Sequence, residues 1–197
     1  MLLYTDVIDE NHKNIRKKSV PVAFPLSPDD QKIADDLLEY VINSIDDEIA
    51  AEYELRASVG IAAPQINVLK QICVVHISDE EGELIEHIFL NPKIIRHSNF
   101  LRYLPMGEGC LSIKRQVEGL VPRYEKITVR NHKPDGTPYN LTFEGYAAIV
   151  VQHEIDHLNG ILFVDRIDKK NPLLPPKNSA PIVFPDEFIE EDITDFE

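Results

Sequence analysis

The chain has 197 residues, 43% of them hydrophobic and 27% charged, enough for one globular domain with a sizeable core and too few for two. Its 20 basic and 34 acidic side chains give a formal net charge of -14, which argues against a surface built to neutralise nucleic-acid phosphates. With no charged-then-apolar leader and no apolar run of bilayer-spanning length, a cytoplasmic protein without membrane contact is expected. Two cysteines, Cys73 and Cys110, are too few for a small disulfide scaffold, so free thiols are expected.

After a short opening segment, SPDDQKIADDLLEYVINSI predicts an amphipathic helix. Ser27 is placed to cap it, Pro28 takes the first helical position and acids fill the first turn. Ile33, Leu37, Leu38, Val41, Ile42 and Ile45 form its apolar stripe, covering a core. The middle of the chain then changes period. QICVVHI, HIFLNPKII, KITVRNH and YNLTFEG are short, rich in β-branched and aromatic residues, and punctuated by DEEGE, NP and PDG. The PDG between KITVRNH and YNLTF signals a hairpin. Cys73, inside QICVVHI, reads as a buried strand residue acting as a small hydrophobe.

From Tyr146 to Asn159 the pattern turns helical again, and AAIVV leaves the first half apolar all round, which predicts burial. Gly160 is placed for a left-handed C-cap. The expected class is therefore α+β: antiparallel sheets packed around a central buried helix, with the N-terminal helix covering them. Residues 1–168 are expected to form the domain. Residues 169–197, proline-rich and then acidic, are expected to form an extended tail rather than a packed element.

The buried helix carries QHEIDH. His153 and His157 are four apart and share a helix face, with Glu154 to one side and Asp156 to the other. Two histidines and two acids in the most apolar helix would cost on the order of several kcal/mol if unpaired; a metal ion compensates. A catalytic divalent ion takes three protein ligands and keeps one position open, so a third ligand must come from elsewhere. Zinc peptidases with such a helix take it downstream, where Asp165, Asp168 and Glu187 are available but no histidine follows His157. Upstream, Cys110 is the better candidate: Gly107 and Gly109 let the backbone turn sharply and bring a small thiolate near another element. His12, His76, His87, His97 and His132 lie in segments without ligand spacing.

Three motifs, VGIAAPQ at 59–65, EGCLS at 108–112 and QHEIDH at 152–157, occur in the order and approximate spacing of the peptide deformylases, with NPKI and LVPRYEKI between them. Over roughly residues 1–168 the chain resembles that family, in its longer, Gram-positive type. The resemblance implies that Cys110, His153 and His157 hold one divalent metal ion with water or hydroxide in the fourth position, and that Glu154 is general base and then general acid. Gln65 and the backbone N–H of Leu111 would donate to the oxyanion. Val59, Gly60, Tyr146, Ile149 and Val150 would form the methionine pocket, positions 146, 149 and 150 falling on one helix face. Iron(II) is the implied metal, although a Cys/His/His set also suits zinc, nickel or cobalt. The implied reaction is hydrolysis of the formyl group from formylmethionine on nascent polypeptides, releasing formate, with the ribosome as a partner. Glu108 would pair with Arg123, and Asp156 would either orient a ligand histidine or join an ion pair. Ser58 departs from the glycine usual at its place, and since serine adopts positive φ less freely, an altered backbone is expected there.

Two rivals remain at this level. A zinc peptidase would use an acidic third ligand, and a non-catalytic module would use the metal only to hold its fold.

Overall fold

A computed structural model describes residues 1–79 and 82–184. Helix α1 (Pro28–Ser44) and the short α2 (Asp47–Tyr53) precede strands β1 (Gly60–Ala62), β2 (Ile72–Ser78), β3 (Leu84–Leu90), β4 (Lys93–His97), β5 (Leu101–Tyr103), β6 (Arg123–Tyr124), β7 (Lys126–His132) and β8 (Pro138–Glu144). Helix α3 (Gly145–Leu158) and strand β9 (Ser179–Pro181) follow. Three three-stranded sheets, ordered β1-β2-β3, β4-β7-β8 and β6-β5-β9, surround α3, as expected for an α+β fold.

Ser27 caps α1 by accepting from the Asp30 N–H at 3.1 Å. The buried stripe is Ala34, Leu37, Val41 and Ser44, joined by Tyr40, and it is rotated from the expected one. Ile42 and Ile45 are 39% and 49% exposed, because Ile42 lies on the flank of that stripe and Ile45 is already the C-cap residue.

HIFLNPKII divides at its NP into β3 and β4. Asn91 turns the chain with φ 50°, and its side chain bonds both backbone groups of Val22, at 2.8 and 2.9 Å. Strands β7 and β8 form the expected antiparallel hairpin. Its turn closes through Lys133 N–H to Thr137 O at 2.9 Å, with Gly136 at φ 90°.

Helix α3 is buried along almost its whole length, and residues such as Ile149, Val151, Ile155 and Leu158 each contribute about 1.5–3 kcal/mol by leaving water. Gly160 ends it at φ 73°, and a side chain there would also strike the Arg16 carbonyl, 2.3 Å from where its Cβ would lie.

The segment expected to be an unpacked tail packs onto the domain through β9, Ile182 and Phe184. Strand β9 runs parallel to β5, and Ile182 is 4% exposed. Strand β5 has β6 on one edge only, and β9 covers the other edge, whose backbone groups would otherwise lack partners. Residues 185–197, which carry the tail's acids, lie outside the described residues. Among the described residues no helix is long and apolar enough to cross a membrane.

Candidate metal centre

One turn of α3 separates His153 from His157, and their Nε2 atoms converge to 3.2 Å. The loop after β5 delivers Cys110, whose Sγ lies 3.3 Å from His157 Nε2. The ligand atoms of the three residues all fall within 4.8 Å of one another. Two imidazole nitrogens and a sulfur turned toward one point are poor partners for each other and good ligands for a divalent ion.

Glu108 fixes the outer edge of this cluster. Its Oε2 receives His153 Nδ1 at 2.8 Å, which leaves Nε2 facing the sulfur and ties down the ring. Arg123, 1% exposed, grips Glu108 with two hydrogen bonds of 2.8 Å. It also donates to Asp156, which Arg166 holds from the other side. Burial alone would push the Glu108 carboxyl up, but the charge and hydrogen bonds of Arg123, with those of His153, hold it down to about 2. The expected Glu108–Arg123 pair is present. Asp156 takes the second of its two anticipated roles, because both its oxygens serve arginines and Glu108 orients the histidine.

Glu154 packs under β1. It is 4% exposed, and burial raises its carboxyl to about 7. Its Oε2 and the Nδ1 of His157 are buried without a hydrogen-bond partner. A Cβ on Gly60 would come within 2.8 Å of Glu154 Oε1, so the missing side chain at Gly60 makes room for the acid. Gln65 is fixed by its carbonyl: Oε1 accepts the Ala62 N–H at 2.9 Å. Its amide group is thereby turned to Cys110 Sγ at 3.6 Å and Ser112 Oγ at 3.4 Å, presenting donors beside the candidate ligands. Ser58 is not among the residues with positive φ, as serine's reluctance to adopt it leads one to expect. Its hydroxyl donates to the Gly60 carbonyl at 2.6 Å.

A cavity of about 300 Å³ opens over these groups. Val59, Gly60, Tyr146, Ile149 and Val150 all line it, together with Gln65, Cys110, Leu111, His153 and Glu154. Sequence reasoning missed Ile45, Arg56 and Leu104, which also line it; no spacing signal marks them.

Of the acidic alternatives, Asp165 bonds Arg16 and the Leu162 N–H. Asp168 accepts from the backbone of Lys170 and Asn171. Glu187 lies outside the described residues. Cys73 is buried in β2, its thiol raised well above 9.0 by burial and then by Glu154. The remaining histidines stay apart: His12 accepts from the Asn14 N–H, His76 bonds Glu86, His87 meets Phe143 edge-on, His97 stacks on Tyr124 and His132 on Phe24.

The opening segment, given no role by its sequence, touches the first two motifs and the residue that follows the third. Ile8 N–H reaches Gln65 O and Glu10 N–H reaches Ser112 O, each at 2.8 Å, and Ser19 N–H reaches Leu158 O at 2.9 Å.

Comparison with known proteins gives the same direction. The sequence model of the polypeptide deformylase family matches residues 4–172. A peptide deformylase of Oceanobacillus iheyensis is 47% identical over 182 residues, covering 92% of this chain and all of the relative. One from Listeria monocytogenes is 48% identical over 177 residues, 89% of this chain and 97% of the relative. The actinonin-bound structure of a class I type b peptide deformylase from Acinetobacter baumannii superposes with a TM-score of 0.64 at 30% identity, covering 85% of this chain and 99% of that one. The Met-Ala-Ser-bound structure of the same enzyme gives 0.63 over 82% and 96%.

Proposed function

Because the chain belongs to the polypeptide deformylase family, we propose that it hydrolyses the N-terminal formamide of peptides beginning with formylmethionine, giving formate and a free amine. Cys110, His153 and His157 would hold the metal. The ion, when bound, makes a water nucleophilic near neutral pH and polarises the formyl oxygen. Glu154 then takes the proton of the attacking water and passes it to the leaving nitrogen. Gln65 Nε2 and the Leu111 N–H donate to the oxygen on which negative charge develops, and one such donor is worth roughly 3–4 kcal/mol in other enzymes. Val59, Gly60, Tyr146, Ile149 and Val150 receive the methionine side chain. The observation that carries this reading is the convergence of Cys110 Sγ and two histidine Nε2 atoms next to a buried carboxylate with an unpartnered oxygen.

Iron(II) is the metal proposed, and elemental analysis of anaerobically purified protein decides among it, zinc, nickel and cobalt. The catalytic unit proposed is residues 1–168, with 169–197 appended. Nascent peptides in the cytoplasm are the proposed substrates and the ribosome the proposed partner, without direct nucleic-acid binding, in keeping with the acidic charge. A formate-release assay on formyl-Met-Ala-Ser tests the function. The native chain should turn over, and Glu154→Ala should keep its metal and lose turnover. Full activity in that variant, or none in the native chain, would overturn the assignment.

A further inference from the structure

Beyond α3 the chain returns to the site it has just built. Asn178 Nδ2 donates to Asn99 O at 2.9 Å. Strand β9 then pairs with β5, Ser179 opposite Leu101 and Pro181 opposite Tyr103. Arg102 Nη1 donates to Pro181 O at 3.1 Å, and Ile182 N–H to Tyr103 O at 2.9 Å. Two residues later the Phe184 ring meets Tyr146 edge-on, with centroids 5.3 Å apart and planes at 78°.

One anchor of this segment is a wall of the catalytic cavity, and the other is the strand that leads into that wall. Strand β5 runs directly into Leu104, and Leu104 and Tyr146 both line that cavity. Tyr146 stands on the first turn of α3 and is only partly buried, and the Phe184 ring lies against it. The prolines of NPLLPPKNSAP favour an extended path and reduce the entropy lost on docking.

We propose that residues 178–184 form a strap that sets the shape of the methionine pocket, with Phe184 a positioning residue acting through Tyr146. This rests on the deformylase reading, since the pocket is assigned by it. The strap contacts β5 and Tyr146 of the pocket wall. It therefore governs substrate binding and leaves the chemical step alone.

The test compares the full-length chain with Phe184→Ala and Phe184→Tyr. For Phe184→Ala, KM for formyl-Met-Ala-Ser should rise about fivefold, the size of effect an edge-on aromatic pair supports, with kcat and metal content unchanged. The dissociation constant of the product Met-Ala-Ser, measured by calorimetry, should rise by a similar factor. Preference for formyl-Met over formyl-Ala peptides should narrow. Phe184→Tyr, which keeps the ring, should behave as the native chain. Native KM and peptide affinity in Phe184→Ala overturn the strap, as does a fall in kcat and thermal midpoint with KM unchanged. If the native chain itself releases no formate, the functional reading fails instead.

Discussion

Glu154 lies against Gly60 so closely that no side chain fits between them: a Cβ on Gly60 would sit 2.8 Å from Oε1 and 3.0 Å from Cγ of the acid. Gly60→Ala should therefore push the carboxylate off its position while leaving Cys110, His153 and His157 in place. Turnover of formyl-Met-Ala-Ser should fall about 100-fold, the scale set by small misplacements of a reacting group, with metal content unchanged. Native turnover would show that Glu154 adapts.

The third ligand is open to a direct comparison. Cys110→Ser should lose most bound metal on dialysis, because the soft sulfur is gone. Asp165→Ala should keep it, since that carboxylate serves Arg16 and the Leu162 N–H. The reverse pattern would restore the acidic-ligand peptidase.

Gln65→Leu removes the amide donors and retains similar bulk. Loss of one oxyanion donor lowers kcat by about 10²- to 10³-fold elsewhere, and the same range is expected here with KM less affected. Steady-state kinetics separates the two constants, and a change confined to KM would give Gln65 a substrate-binding role only.

Glu108 links stability to pH. Its carboxyl is held at about 2 against an ordinary 4.5, so its contribution is fully present above about 4.5 and is lost as pH falls toward 2. On chelator-treated protein, Glu108→Gln should cost roughly 3 kcal/mol at pH 7 and far less at pH 2.5. Urea unfolding at both values checks this, and an equal cost at both would locate the effect in packing.

The two thiols should behave oppositely when the metal is removed. Cys73 is fully buried and its thiol raised by burial, so it should not react with a thiol reagent at pH 8 until the chain unfolds. Cys110 should react only after chelation. Two fast thiols in the folded, chelated protein would contradict the burial of β2.

Much of this site could be read from the sequence because its candidate ligands obey local rules. The four-residue spacing of His153 and His157 and the glycines around Cys110 are visible without a fold. Helix α1, the β7–β8 hairpin and the burial of α3 follow from period and turn chemistry in the same way. Strands β1, β5, β6 and β9 have two or three residues each, too short for alternation to register. The choice between the two roles open to Asp156 depends on Arg123 and Arg166, distant in sequence from it or invisible as partners without the fold, and Gly60 gains its meaning only once α3 lies beneath it. The opposite error arose in the tail, where proline content suggested an unpacked segment although prolines also suit an edge strand.

The opening segment, stitched to Gln65, Ser112 and Leu158, bears on how the enzyme comes into being. Its first residues leave the ribosome early, yet their partners at the end of α3 are among the last of the catalytic unit to be made. Contacts between such distant parts of a chain form late and slowly. A chain still in synthesis therefore lacks a closed site until α3 has emerged, and activity should appear in one step near the end of translation rather than build up gradually.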